Sequence, residues 1–170
     1  MRGALDMLYQ GAMYLAGICL VGVLLAVLST VVGRLLNFNP VGSDAYAGYL
    51  MAAASFLALG GTLRRGEHIR VSLALNSVKG RYKRWLECWC YAVGLLVSGA
   101  LALFSWRLVW QSHAFEEISQ SSDATPLWLP QIGMAVGCTI LVVAMLDLLV
   151  AFLKGAPLAE PEHPSPAVVE

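Results

Sequence analysis

Arg64–Glu87 reads RRGEHIRVSLALNSVKGRYKRWLE, and this stretch decides how the rest of the chain is arranged. It holds Arg64, Arg65, Arg70, Lys79, Arg81, Lys83 and Arg84, seven of the eleven Lys and Arg in the protein. Two stretches without any Asp, Glu, Lys or Arg precede it, Met7–Gly33 and Ala45–Leu63. Two more follow, Cys88–Trp106 and Ala124–Leu146. A membrane-spanning helix needs about 20 mainly apolar residues, so each of the four qualifies. Lys and Arg beside a span resist translocation. The basic stretch is therefore expected in the cytoplasm, which returns both termini to that side and leaves the two short loops outside.

Composition points the same way. Only 13% of the 170 residues are charged and 58% are hydrophobic, whereas soluble domains carry about 25% charged residues. Backbone groups in hydrocarbon must bond to one another, which dictates helices. The apolar runs are continuous rather than alternating, which excludes a β-barrel. The fold class is thus all-α integral membrane, with four transmembrane helices over residues 7–36, 44–63, 85–110 and 127–152. These form one membrane domain over residues 1–154. Residues 155–170, GAPLAEPEHPSPAVVE, are rich in proline and acid and are expected to be a disordered cytoplasmic tail. The first apolar run is far longer than the ~7–15 residues of a signal peptide core, and it reads as a retained helix despite Arg2 ahead of it.

Working outward from the basic stretch, Val71, Leu75, Val78, Tyr82, Trp85 and Trp89 fall on one helical stripe. An apolar stripe flanked by cations suits a short helix lying in the cytoplasmic interface against membrane lipids. Its interfacial face is Val71, Leu75, Val78, Tyr82 and Trp85, with a bend expected at Lys79–Gly80. Asn37–Ser43 is turn chemistry between the first two spans, and Ser43 or Asp44 is placed to cap the second. Gly60-Gly61 is expected to loosen or break that helix near its end. Trp85 and Trp89 mark one membrane face, and Trp106 and Trp110 the other. Pro126 and Pro130 fall in the first turns of the fourth helix, where proline is tolerated.

Site chemistry is sparse. His68, His113 and His163 all lie outside the spans, which speaks against haem or metal sites. Cys19, Cys88, Cys90 and Cys138 sit in or at the edge of spans and read as small apolar residues rather than disulfide partners. Asp147 lies near the cytoplasmic end of its helix, with Arg64 or Lys154 as a candidate partner. No hydrolase, metalloprotease, phosphate-loop or dinucleotide motif is present, so neither an enzyme nor a cofactor is expected. The basic charges flank spans, so lipid headgroups rather than nucleic acid are their partner. Packing residues are plentiful. Gly94, Ser98 and Ala102 recur at four-residue spacing in the third helix, and Gly133 and Gly137 make a GxxxG in the fourth. Ala47, Gly48, Ala52, Ala53, Ala54, Ser55 and Ala58 crowd the second. Small residues let membrane helices approach closely, so these are candidate helix-packing or partner contacts.

Within the basic stretch, Arg65-Gly66-Glu67-His68-Ile69-Arg70-Val71 resembles the signature of the small, DctQ-type membrane subunit of tripartite ATP-independent periplasmic transporters. The signature residues here are Arg65, Gly66, His68, Ile69 and Val71. Asp44 matches an acid that often opens the second helix of that family. Ile118-Ser119, Thr125-Pro126-Leu127-Trp128-Leu129-Pro130 and Gly137 resemble its S…P-x-W-x-P…G pattern. Ser72 and Val78-Lys79-Gly80 depart from an acid and a proline common in the family. The resemblance implies a bacterial inner membrane protein in complex with a large many-helix membrane subunit and a periplasmic substrate-binding protein. In such a sodium-coupled importer of organic acids, the large subunit carries the substrate and sodium sites and the small subunit enlarges the stationary scaffold. A free-standing homo-oligomeric tetraspan channel or small exporter is the alternative, and a structural or assembly membrane protein a third.

Overall fold

The computed structural model describes residues 2–38, 42–64, 81–121 and 124–154. Four α-helices account for nearly all of them: α1 (Arg2–Leu35), α2 (Ser43–Arg64), α3 (Arg81–Ala114) and α4 (Trp128–Leu153). Each is long and apolar enough to cross a membrane. No strand forms among the described residues beyond one isolated bridge between Ile118 and Pro126. The all-helical four-span architecture read from the charge gaps is therefore the observed one. The predicted interfacial helix and its bend at Lys79–Gly80 lie in residues 65–80, outside the described residues, as does the tail after Lys154.

α2 and α4 are the inner helices: α2 packs along α1 on one side and α4 on the other, and α4 in turn packs along α3. A core of Tyr9, Ala12 and Ala16 from α1, Leu57 from α2, and Ile140 and Ala144 from α4 closes the end that carries the basic stretch. Small residues set these seams. A Cβ added at Gly137 would lie 2.5 Å from the carbonyl carbon of Phe56, so α4 touches the α2 backbone there.

Gly60-Gly61 does not break α2, which continues to Arg64. The glycine penalty is a cost to an isolated helix, and here packing overrides it. A Cβ at Gly60 would meet Ile140 Cγ2 at 2.7 Å, and one at Gly61 would meet Met13 Cγ at 2.5 Å. The pair opens room for α4 and α1 at once. Ser43 is itself the first residue of α2, and its hydroxyl lies 2.8 Å from that of Thr30 on α1. Pro130 falls in the first turn of α4, whereas Pro126 precedes the helix.

Both short turns rest on left-handed residues. α1 ends with Asn37 at φ 53°, and the Phe38 N–H donates to the Gly33 carbonyl at 2.8 Å. α3 ends in the same way, with Glu116 at φ 50° and the Glu117 N–H donating to the Ser112 carbonyl at 3.0 Å. A six-to-one bond over a left-handed residue is a common helix stop. Asparagine tolerates that conformation, and glutamate does so at some cost.

Candidate functional site

The residues singled out in the sequence fall into two groups. Arg65, Gly66, His68, Ile69, Val71, Leu75 and Val78 lie outside the described residues. Tyr82 and Trp85 open α3, and both are exposed. Gly94, Ser98 and Ala102 share the face of α3 that meets α4. Ser98 is 2% exposed with its hydroxyl donating to the Leu95 carbonyl, and a Cβ at Gly94 would sit 3.1 Å from Met145 Cε. Gly133 and Gly137 face α2 across Ala53 and Phe56. The structure thus brings the small residues of α3 and α4 together in two seams inside the bundle. It does not gather them on one outer surface.

The end of the bundle that carries the two short turns is tied together by hydroxyl groups. The Tyr49 hydroxyl of α2 donates to Ser119 Oγ at 2.7 Å, and Tyr46 meets the Thr125 hydroxyl at 2.9 Å. Ser119 Oγ also accepts from the Ser121 N–H at 3.2 Å. Ser112, buried in α3, donates to Glu117 Oε2 at 2.7 Å. Backbone bonds Ser119 N–H to Thr125 O and Leu127 N–H to Glu117 O, both at 2.9 Å, close the α3–α4 turn, with Ala124 held at φ 47°. His113 and Trp128 rings pack 5.3 Å apart beneath it. The result is a hydrogen-bonded cap spanning α2, α3 and α4. Sequence reading missed it. Two tyrosines opening α2 and the Ser/Thr-rich segment 119–125 were the signal.

α3 separates two environments. Trp85, Trp89, Trp106 and Trp110 are exposed and fall on one broad face of it. Trp85 and Trp89 stack at 6.1 Å and 9° between planes. Seventeen residues of helix, about 26 Å, separate Trp89 from Trp106, close to the ~30 Å of a hydrocarbon core. Trp106 Nε1 donates to Thr139 Oγ1 at 3.0 Å, which leaves the ring at the surface. On a different side of α3 lies a cavity of about 500 Å³, walled by Phe56 of α2, Leu101, Phe104 and Leu108 of α3, and Met134 of α4. Arg107 and Gln111 line its end nearest the capped turns.

No group of three or more His, Cys, Asp or Glu is placed to hold a metal ion among the described residues. The chemistry on offer is packing, hydrogen bonding and one cation beside an apolar hollow. Residues 23–155 match the family described as tripartite ATP-independent periplasmic transporters, DctQ component. No curated protein matches the chain.

Proposed function

The chain belongs to the DctQ component family of tripartite ATP-independent periplasmic transporters, as a multi-pass membrane protein, and on that premise we propose that it is the small scaffold subunit of a sodium-coupled importer of organic acids. It braces a large many-helix membrane subunit and does not itself bind substrate. A periplasmic binding protein delivers the substrate. The complex sits in the bacterial inner membrane with both termini of this chain cytoplasmic, as the basic stretch argues.

One observation carries this reading: ionisable groups are scarce at membrane depth. All charged residues of the four helices, among them Asp6, Arg34, Asp44, Glu87, Arg107 and Asp147, stand toward the helix ends rather than at their middles. A subunit that recognised carboxylates or sodium within the bilayer needs polar groups near the midplane. Extensive seams among α1, α2, α4 and α3 suit a stationary brace instead. The signature Arg65-Gly66-Glu67-His68-Ile69-Arg70-Val71 and the face Val71, Leu75, Val78, Tyr82 and Trp85 hold the cytoplasmic side to anionic headgroups and to the large subunit.

Calorimetry separates the roles. The purified chain alone is expected to give no saturable heat with small carboxylates or sugar acids, whereas vesicles holding both membrane subunits are expected to accumulate substrate when the binding protein and a sodium gradient are supplied. Saturable binding to the isolated chain, or transport by a homo-oligomer of it, overturns the scaffold role.

A further inference from the structure

The exposed surfaces of the bundle differ in chemistry. α1 presents large aliphatic side chains, among them Leu20, Leu24, Leu28 and Leu35, which suit lipid tails. The outer face of α3 carries the paired tryptophans of a membrane belt. The third surface is unlike both. It is the concavity of about 500 Å³ between α2, α3 and α4. On α2, Ala52 lies one turn from the lining residue Phe56, and the exposed strip beside it runs Gly48, Ala52, Ser55. A Cβ at Gly48 would meet nothing within 4 Å. Lipid chains mould to any apolar surface and gain nothing from small side chains, but a helix backbone does. Arg107 opens onto the same hollow, and none of the described carboxylates forms an ion pair with it.

Resting on the subunit reading above, we propose that this concavity is the docking face for a helix of the large membrane subunit. That helix places a carboxylate against Arg107 and a close backbone contact against Gly48, Ala52 and Ser55. Covering the hollow takes Arg107 out of water, and an opposite charge carried by the covering helix offsets that cost. Arg107 lies between Trp106 and Trp110, so the partner carboxylate sits near the membrane–water boundary at the capped end. The tryptophan face of α3 stays against lipid.

A photoreactive benzoylphenylalanine at Ala52 or Phe104 samples the hollow, and one at Leu96 or Leu103 samples other exposed positions of α3, on the tryptophan side. Each variant of the full chain is co-expressed with the large subunit and irradiated in membranes. Adducts of the summed subunit mass are expected from positions 52 and 104, and lipid adducts alone from 96 and 103. Complex yield is expected to fall at least tenfold for Arg107→Glu and to be largely kept by Arg107→Lys. Subunit adducts from 96 and 103 but not 52 and 104 place the interface elsewhere and overturn the proposal, as do lipid adducts alone at all four positions. If the unmodified chain forms no complex with the large subunit at all, the subunit reading fails first and the docking face with it.

Discussion

Adding one methyl group at Gly137 tests the α2–α4 seam. A Cβ there would lie 2.5 Å from the Phe56 carbonyl carbon and 2.7 Å from both Phe56 Cβ and the Phe56 carbonyl oxygen. The obstacle is largely backbone, so no rotamer change relieves it and α2 and α4 must part. Overpacking of this kind costs roughly 1–3 kcal/mol. Replacing a helix-interior glycine by alanine returns about 1 kcal/mol, so a net loss of about 0–2 kcal/mol is expected against wild type, and a loss of about 1–3 kcal/mol against an alanine added where nothing obstructs it. With the soluble-protein scaling, the midpoint of thermal unfolding in detergent falls by up to about 8 °C against wild type. Gly48→Ala is the control, because its Cβ meets nothing within 4 Å, and it should match or slightly exceed wild type. Gly94→Ala is intermediate, since it meets only the flexible end of Met145 at 3.1 Å. Thermal size-exclusion assays on the three purified variants give the ranking. If Gly137→Ala is as stable as Gly48→Ala, α4 does not touch the α2 backbone and the described seam is wrong.

Other expectations concern the turns and the basic stretch. Tyr49→Phe removes the hydroxyl that reaches Ser119. It should cost about 0.5–1.5 kcal/mol and speed amide exchange across 119–125, while an unchanged exchange profile would show that the cap is not held by this bond. Ala124→Gly relieves a left-handed alanine at φ 47° and should leave stability equal or raise it by up to about 1 kcal/mol; a clear loss in the same thermal assay contradicts that geometry. In a background without native cysteines, Ser77→Cys should react only with membrane-permeant reagents and Ser121→Cys also with impermeant ones, and the reverse labelling inverts the topology. Leu75→Asp with Val78→Asp should lower complex yield more than Lys79→Gln with Lys83→Gln, and equal yields would make the stretch a passive loop.

Charge gaps made the spans legible because a charged side chain in hydrocarbon costs several kcal/mol, and that cost depends on sequence alone. Helix ends were less so. α3 runs from Arg81 to Ala114, where the sequence reads a helix from about Tyr82 or Trp85 to Trp110 or beyond around the span 85–110; at its start, lysine and arginine end a span without ending a helix. Gly133 and Gly137 were visible as a packing motif, but which helix met them depended on the assembled bundle. Gly60-Gly61 follows the same rule: its local penalty is outweighed by packing against Ile140 and Met13, which lie far off in sequence. The Tyr49–Ser119 bond joins residues seventy apart, so no local pattern announces it. The hollow beside Arg107 also arises only once three helices are placed. The lone arginine between Trp106 and Trp110 was its trace in the sequence.

A stationary subunit of a larger transporter should travel with its companions. The chain is expressed with an affinity tag at its native level and solubilised mildly, and its companions are identified by mass. A stable complex in fixed ratio with a many-helix membrane subunit is expected, and that complex transports substrate in vesicles only while this chain is present. A monodisperse homo-oligomer without a large companion, or full transport by the large subunit after this chain is removed, contradicts the subunit role.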